Sequence, residues 1–395
     1  MIEQLMKTVK RGNKKRGINI TIGAVVGFLL SCTGVIKAAD EYLWIRENNG
    51  TIEFNTTVTT DDNGTDGNWS ETHPYSDENN WDEGTKIYIN NMTLLSSGNN
   101  GKDNFNNISY GLRLSGNLNG LNFINNNSIT GTGNGSGYGI YNTSSGKIKT
   151  LTNTGVIYGK NNAISNKYGS INSASNYGIL VNGSGNDVIS GLDIVYVPTE
   201  DKNKILNYGL IIKNGSEIVD KDNIKNGKTV EIEEYNDDGT IKSTRNMTIK
   251  NNVDEGNSFT GNESDVILNA LTDTYKATGT SKITDSIINA YGTAVVFGTT
   301  GGKLTLSGTI VNGGIDGASN TISGSGNEDI LTLENESVVN GNIDMGAGND
   351  TLNIVNGGKV NGTLDGGTGS GEIESDTLNF NSPVTRTSNN DEINI

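Results

Sequence analysis

From about residue 101 onward, Ile, Val and Leu recur at short, regular intervals between Gly and Asn, and the apolar runs are too brief for helices. Gly139-Ile140 returns as Ala163-Ile164 after 24 residues, Ile148 as Ile171 after 23, Gly155 as Gly178 after 23, and Ile157 as Ile179 after 22. A period near 23 suits one coil of a parallel β-helix, with about three strands of four or five residues, each ended by a turn.

A second block, from about 283 to 380, repeats a sharper unit. Val311-Asn312-Gly313-Gly314-Ile315-Asp316 is followed by Val339-Asn340-Gly341-Asn342-Ile343-Asp344 and Val360-Asn361-Gly362-Thr363-Leu364-Asp365, at offsets of 28 and 21. Each copy is followed by an acidic strand start, at Asp329-Ile330-Leu331, Asp350-Thr351-Leu352 and Asp376-Thr377-Leu378. Unequal spacing predicts loops of varying length on a constant core. One coil holds too few apolar residues to bury anything alone, so coils must stack at about 4.8 Å into a rod with a narrow core. Asn at equivalent turns is expected to form bonded ladders up the stack, and the open ends of the rod need caps.

The fold class is therefore all-β, a parallel β-helix with a capped N-terminus and a hairpin-like insertion. The pattern divides the chain into a leader at 1–39, a cap at 40–100, solenoid repeats at 101–191, a charged insertion at 192–250, further repeats at 251–380, and a polar tail at 381–395. All three tryptophans, Trp44, Trp69 and Trp81, fall in the cap, where they are expected to close the core of the first coil. Val230 to Thr244 around Asp238-Gly239 reads as a β-hairpin projecting from the rod, a candidate contact surface because loops on a rigid scaffold often carry function.

Composition narrows this further. The 395 residues include 54 Gly and 60 Asn with 6% aromatics, too little to fill a large globular core. Gly inside a strand costs roughly 0.5–1 kcal/mol relative to Ala, so most glycines belong at turns, where Asn also fits. Net charge is −16, but residues 1–39 hold seven Lys or Arg and one acid, which leaves −22 for the remainder. So acidic a chain repels phosphate backbones and anionic lipid, and no nucleic-acid partner is expected.

Lys7, Lys10, Arg11, Lys14, Lys15 and Arg16 precede an apolar run from Ile18 to Ile36 and then Lys37-Ala38-Ala39-Asp40, the order of a secretory signal peptide cleaved after Ala38 or Ala39. The single cysteine, Cys32, lies inside that run, so the mature chain would hold no disulfide. Candidate chemistry is sparse. With His73 as the one histidine and no mature thiol, Cys-His nucleophiles and multi-His metal sites are excluded, and no Ser stands in a nucleophile turn. No catalytic, cofactor or metal residue is assigned. Gly346-Ala347-Gly348-Asn349-Asp350-Thr351-Leu352 and Gly183-Ser184-Gly185-Asn186-Asp187-Val188-Ile189 match the calcium nonapeptide of RTX repeats locally, but each stands alone where that site needs consecutive copies, so Asn-Asp turns capping strands are the expectation. Sequons such as those at Asn68 and Asn134 follow by chance from the Asn, Ser and Thr content.

The leader from Lys7 to Ala39, the run Asn153-Thr154-Gly155-Val156-Ile157-Tyr158-Gly159 with Ala163-Ile164-Ser165-Asn166, and the run from Asn340 to Leu352 together resemble the large fusobacterial-type autotransporters. That resemblance implies Sec export, passage through an outer-membrane barrel, surface display and commonly adhesion to host or bacterial surface molecules, protein or glycan. Members end in a C-terminal barrel of alternating strands with aromatic girdles. Nothing after Phe380 resembles one, so the expectation is a passenger whose translocation barrel is supplied separately, a fragment, or a truncated gene. A non-catalytic adhesin or structural rod is the leading reading. A carbohydrate-active β-helix enzyme and a calcium-stabilised RTX-like module are the alternatives.

Overall fold

The computed structural model describes residues 42–55, 69–71, 80–96, 102–103, 108–133, 135–224, 226–235, 241–367 and 377–381. Among them the only helical element is the three-residue 3-10 turn Lys221–Asn223. Everything else is strand and turn, wound into a β-solenoid whose neighbouring coils pair in parallel, as the period predicts.

The first stack has three sheets. Sheet 1 takes Leu43–Asn48, Ile108–Ser115, Ser136–Asn142, Asn162–Ser165 and Ile189–Ser190; sheet 2 takes Ile87–Asn90, Asn122–Asn125, Lys147–Asn153, Ser170–Asn176 and Lys204–Asn207. Sheet 3 takes Leu94–Ser96, Ser128–Gly131, Val156–Gly159, Ile179–Asn182 and Leu210–Lys213. Inward residues stand at the same height in each coil, so the core is built of columns: Leu43, Leu112, Ile140, Ile164 and Ile189 from sheet 1, and Leu94, Ile129, Ile157, Leu180 and Ile211 from sheet 3. Sheet 2 contributes Tyr88, Phe123, Leu151, Ala174 and Ile205, the first two rings stacked 5.4 Å apart. Each fully buried aliphatic side chain contributes about 1.5–3 kcal/mol.

Most of the sequence offsets coincide with this register, including Ile140 with Ile164 and Ile148 with Ile171. One is corrected. Ile157 pairs with Leu180, and Ile179 pairs with Val156. A one-residue shift turns every side chain to the opposite face. Ile157 and Leu180 therefore face the core of the coil, while Ile179 faces outward into a different apolar cluster.

Antiparallel strands close the stack. Thr51–Asn55 folds back on Leu43–Asn48 and Asn80–Asp82 on Ile87–Asn90 at the first coil, and Glu217–Ile218 on Leu210–Lys213 at the last. These hairpins occupy open edges that parallel coils would otherwise present. Trp81 packs with Phe54 and Tyr88 against the core, as expected of a capping tryptophan. Trp44 does not: it lies on the outer face of sheet 1, buried among Tyr42, Tyr110 and Trp69.

The second stack has two principal sheets. Sheet 4 runs through Ile241–Asn251, Val266–Ala270, Ile287–Ala290, Ile310–Asn312, Val338–Asn340 and Lys359–Asn361. Sheet 5 begins with the long strands Tyr275–Thr284 and Val295–Ser307, which later coils break into pairs, Ile322–Ser325 with Asp329–Glu334 and then Ile343–Gly346 with Thr351–Val355. The columns Val311, Val339, Val360 and Leu331, Leu352, Leu378 are those of the sequence repeat.

Residues 192–250 hold both the end of one stack and the start of the other. Lys204–Asn207 and Leu210–Lys213 complete the fifth coil of the first stack. The expected hairpin is present as Thr229–Tyr235 against Ile241–Asn251, and its second strand continues in parallel pairing with Val266–Ala270, so the hairpin seeds the second stack.

Rather than extending one long rod, the chain doubles back. The second stack descends beside the first, antiparallel in coil order, joined by a row of asparagines. Nδ2 of Asn269, Asn289, Asn312 and Asn340 donates to the backbone carbonyls of Tyr208, Tyr177, Thr154 and Asn126, at 3.0, 2.8, 2.9 and 3.2 Å. The same amides bond one another up sheet 4, from Asn361 to Asn340, Asn312, Asn289 and Asn269, at 2.8–2.9 Å. Apolar side chains flank the row. Ile267 and Ile287 pack with Tyr177, Tyr208, Met247 and Ile249, while Ile179, Val181, Leu210 and Ile212 meet Val253, Tyr291 and Ile315. Sheet 4 is thus buried on both faces.

The accepting carbonyls sit at one corner of the first stack, in a recurring Asn-x-Gly step. Asn153-Thr154-Gly155, Asn176-Tyr177-Gly178 and Asn207-Tyr208-Gly209 each place an Asn rung, then the carbonyl that faces the second stack, then a glycine. A Cβ on Gly155, Gly178 or Gly209 would lie 2.0 Å from a carbonyl oxygen of the preceding coil, so only glycine permits coils to stack this closely. The Asn rungs form a second ladder, Asn90 to Asn125, Asn153, Asn176 and Asn207, at 2.7–2.8 Å. Every rung has an acceptor and a donor neighbour except the first, whose Oδ1 has no partner among the described residues.

Candidate functional site

Three places combine polar chemistry with definite geometry. The first is the Gly-Asp turn of sheet 5. Asp329 and Asp350 are the buried carboxylates among the described residues. Asp329 accepts from the Gly302 N–H at 2.8 Å through Oδ1 and from the Ser325 N–H at 2.6 Å through Oδ2. Asp350 Oδ1 accepts from the Asp329 N–H at 2.7 Å. Burial pushes the Asp329 carboxyl above its ordinary range, against the N–H bonds that hold it down. The two acids occupy equivalent heights of successive coils, and each ties its turn to the coil before it. Asp187, in the other nonapeptide match, is exposed and lies 3.4 Å from Lys213. Among the described residues no three His, Cys, Asp or Glu side chains converge as a metal cage.

The second place is the turn between the stacks, 214–235, where Tyr196 donates to Asp220 at 3.2 Å and Tyr177 to the Glu231 carbonyl at 3.4 Å. Burial raises the Tyr177 phenol to about 12, and burial with the Asp220 charge raises Tyr196 as well. These groups belong to the seam and close it.

The third is the outer face of sheet 1. Tyr110 sits 4.8 Å from Tyr141 and 6.1 Å from both Tyr138 and Trp44, and Tyr138 sits 5.2 Å from Tyr141. The Arg113 guanidinium lies 4.9 Å over Trp44, and that of Arg46 3.9 Å over Trp69. Beyond the rings, Tyr138, Tyr141, Asn142, Ser165, Lys167 and Tyr168 line a cleft of about 180 Å³. The sequence signal for this face is Tyr110 and Tyr138 one coil apart, with Tyr141 three residues on along the same strand, which the Gly and Asn periodicity masks.

His73, Cys32, Asn68, Asn134 and the leader at 1–39 lie outside the described residues. No family model matches the chain, and neither a curated protein nor a solved structure matches it.

Proposed function

We propose that the chain is a surface-displayed, non-catalytic passenger of the autotransporter type, a stiff scaffold for contact with host or bacterial surface molecules. One observation carries this reading: two solenoid stacks are zipped side by side by a continuous asparagine row, which makes a thick, rigid body with sheet faces and turn loops outward. Narrow single-core rods bend and fray from their ends, because each coil touches only its neighbours. Cross-bracing four of the five coils of the first stack to the second counters that weakness, which suits a protein held outside the cell. The basic, apolar leader supports export through the Sec pathway, and the acidic mature part supports solubility at a crowded surface. Both oxygens of Asp329 and Oδ1 of Asp350 accept from backbone N–H groups, which favours this reading over a sugar hydrolase built on paired acids or a calcium-held module.

The test is binding of purified mature chain, residues 40–395, to intact host and bacterial cells. Saturable binding is expected, with the surface-bound fraction unchanged by chelator. Absence of binding to every cell type, by a chain that melts cooperatively, overturns the contact function.

A further inference from the structure

The middle coils of the first stack differ in charge from the rest of the molecule. No Asp or Glu occurs from Asn104 to Asn186, so all 45 acidic residues of the chain lie outside that stretch. The same residues carry Arg113, Lys147, Lys149, Lys160 and Lys167. The middle coils of the first stack are therefore a cationic band in a chain of net charge −16. A band of one sign concentrates counter-charged ligands at its surface.

Within that band the aromatic cleft has the parts of a sugar site. Tyr138 and Tyr141 are half-buried and propped from below by Tyr110, so their rings are fixed before any ligand arrives. Tyr168 is 62% exposed at the rim, with the Lys167 ammonium 5.2 Å from its ring. Tyrosine presents a flat apolar surface with a hydroxyl at its edge, which suits a ligand whose own faces are C–H and whose rim is hydroxyl. Ser165 and Asn142 add polar atoms to the wall. Lys167 has no carboxylate in ion-pair range among the described residues, which leaves its charge for a ligand anion. The cleft of about 180 Å³ is smaller than the roughly 300–1,000 Å³ of drug-sized pockets, so it holds one ring of a longer chain.

We propose that this cleft binds an acidic sugar unit of a surface glycan, with Tyr138, Tyr141 and Tyr168 as the stacking surfaces and Lys167 as the partner of the sugar's carboxylate or sulfate. The proposal rests on the contact function above and names the ligand class and the place. Single-stranded nucleic acid also stacks on aromatics beside cations, but a long polyphosphate would run onto the acidic second stack, whereas a single acidic sugar stays within the band.

The experiment titrates the full chain by calorimetry with sialyllactose, a galacturonate trisaccharide, a sulfated disaccharide, uncharged lactose and a short oligodeoxynucleotide. Saturable binding of at least one acidic sugar is expected, at least tenfold tighter than lactose and weakened by salt. Which acidic arm binds separates carboxylate from sulfate. Tyr168→Ala and Lys167→Gln, both at exposed positions, are each expected to lose tenfold or more with an unchanged melting temperature. Equal affinity for lactose, a preference for the oligonucleotide, or full affinity in both variants overturns the proposal. If the wild-type chain and Tyr168→Ala bind cells equally while no acidic sugar binds, the site falls and the contact function stands. If the wild-type chain binds no cells at all, the contact function falls instead.

Discussion

The two stacks bury similar side chains in different cross-sections. In the first, three short strands per coil meet at three corners, and the offset between paired residues is 28 from the second coil to the third, 23 or 24 from the third to the fourth, and 25 to 31 from the fourth to the fifth, because insertions enter at the corners. In the second, sheet 5 wraps round one side as strands of ten and thirteen residues, Tyr275–Thr284 and Val295–Ser307. That side later opens at 326–328 and 347–350, where Gly-rich loops of different length enter without moving the core columns. In both stacks the paired columns stay in register while loops between the strands set the offset. The stacks also contribute unequally to their seam. The first offers backbone carbonyls at Asn-x-Gly corners, and the second offers asparagine amides.

That inequality sets the largest expected effect. Asn312 donates to Thr154 O and to Asn289 Oδ1 and accepts from Asn340, all buried. Asn312→Ala strands three polar groups, each at about 1–3 kcal/mol, so chemical denaturation should show a loss of about 3–5 kcal/mol. The terminal rung Asn361 is half-exposed, and Asn361→Ala should lose under about 1 kcal/mol. Similar losses for the two variants would mean that the ladder contributes nothing beyond local strand pairing.

Next in size is the apolar part of the seam. Ile179 and Leu210 point away from the first stack's core and are fully buried only because the second stack covers them. Leu210→Ala should lose about 2–5 kcal/mol, as much as the core change Leu304→Ala. A surface-like loss of under about 0.5 kcal/mol would mean the faces do not meet.

Much of this was legible in the residues. Coil period, core columns, asparagine ladders and the hairpin near Asp238 all follow from spacing. The doubling-back was not, because Ile179 and Val181 read as ordinary strand residues until it is clear that both faces of their strand are apolar. A run buried on both sides, such as Ile179-Leu180-Val181, is the signal that a sheet has neighbours on two sides. The dense charge of 192–250 hid the fifth coil, since Lys204 and Lys213 flank strands whose inward residues are only Ile205 and Ile211. The aromatic face was missed because its tyrosines belong to outward positions, while repeat analysis follows inward ones.

A smaller effect lies in alkali. Tyr177 ionises near 10 when unfolded and near 12 in the seam, so its raised value stabilises the fold below pH 10, and that contribution is lost as pH rises through 12. The unfolding free energy should fall across this window by about 2–3 kcal/mol from this group. The Tyr177→Phe variant should lack that part of the slope. An identical slope in the variant would remove Tyr177 from the seam.

The smallest expected effect is that of calcium. Because both Asp329 oxygens accept backbone N–H groups, melting temperature should be the same in millimolar calcium and in chelator. A rise of several degrees would turn the sheet 5 turns into an ion site.

The side-by-side arrangement is tested most directly by a thiol crosslink. Tyr158 and Tyr291 pack on the same apolar cluster at the seam, within electrostatic range of each other, whereas in one continuous rod they would stand about five coils, or about 24 Å, apart. Tyr158→Cys with Tyr291→Cys in the mature chain, treated with a short bis-maleimide, should give a near-quantitative intramolecular link at monomer mass. A folded protein that forms no such link would contradict the doubled solenoid.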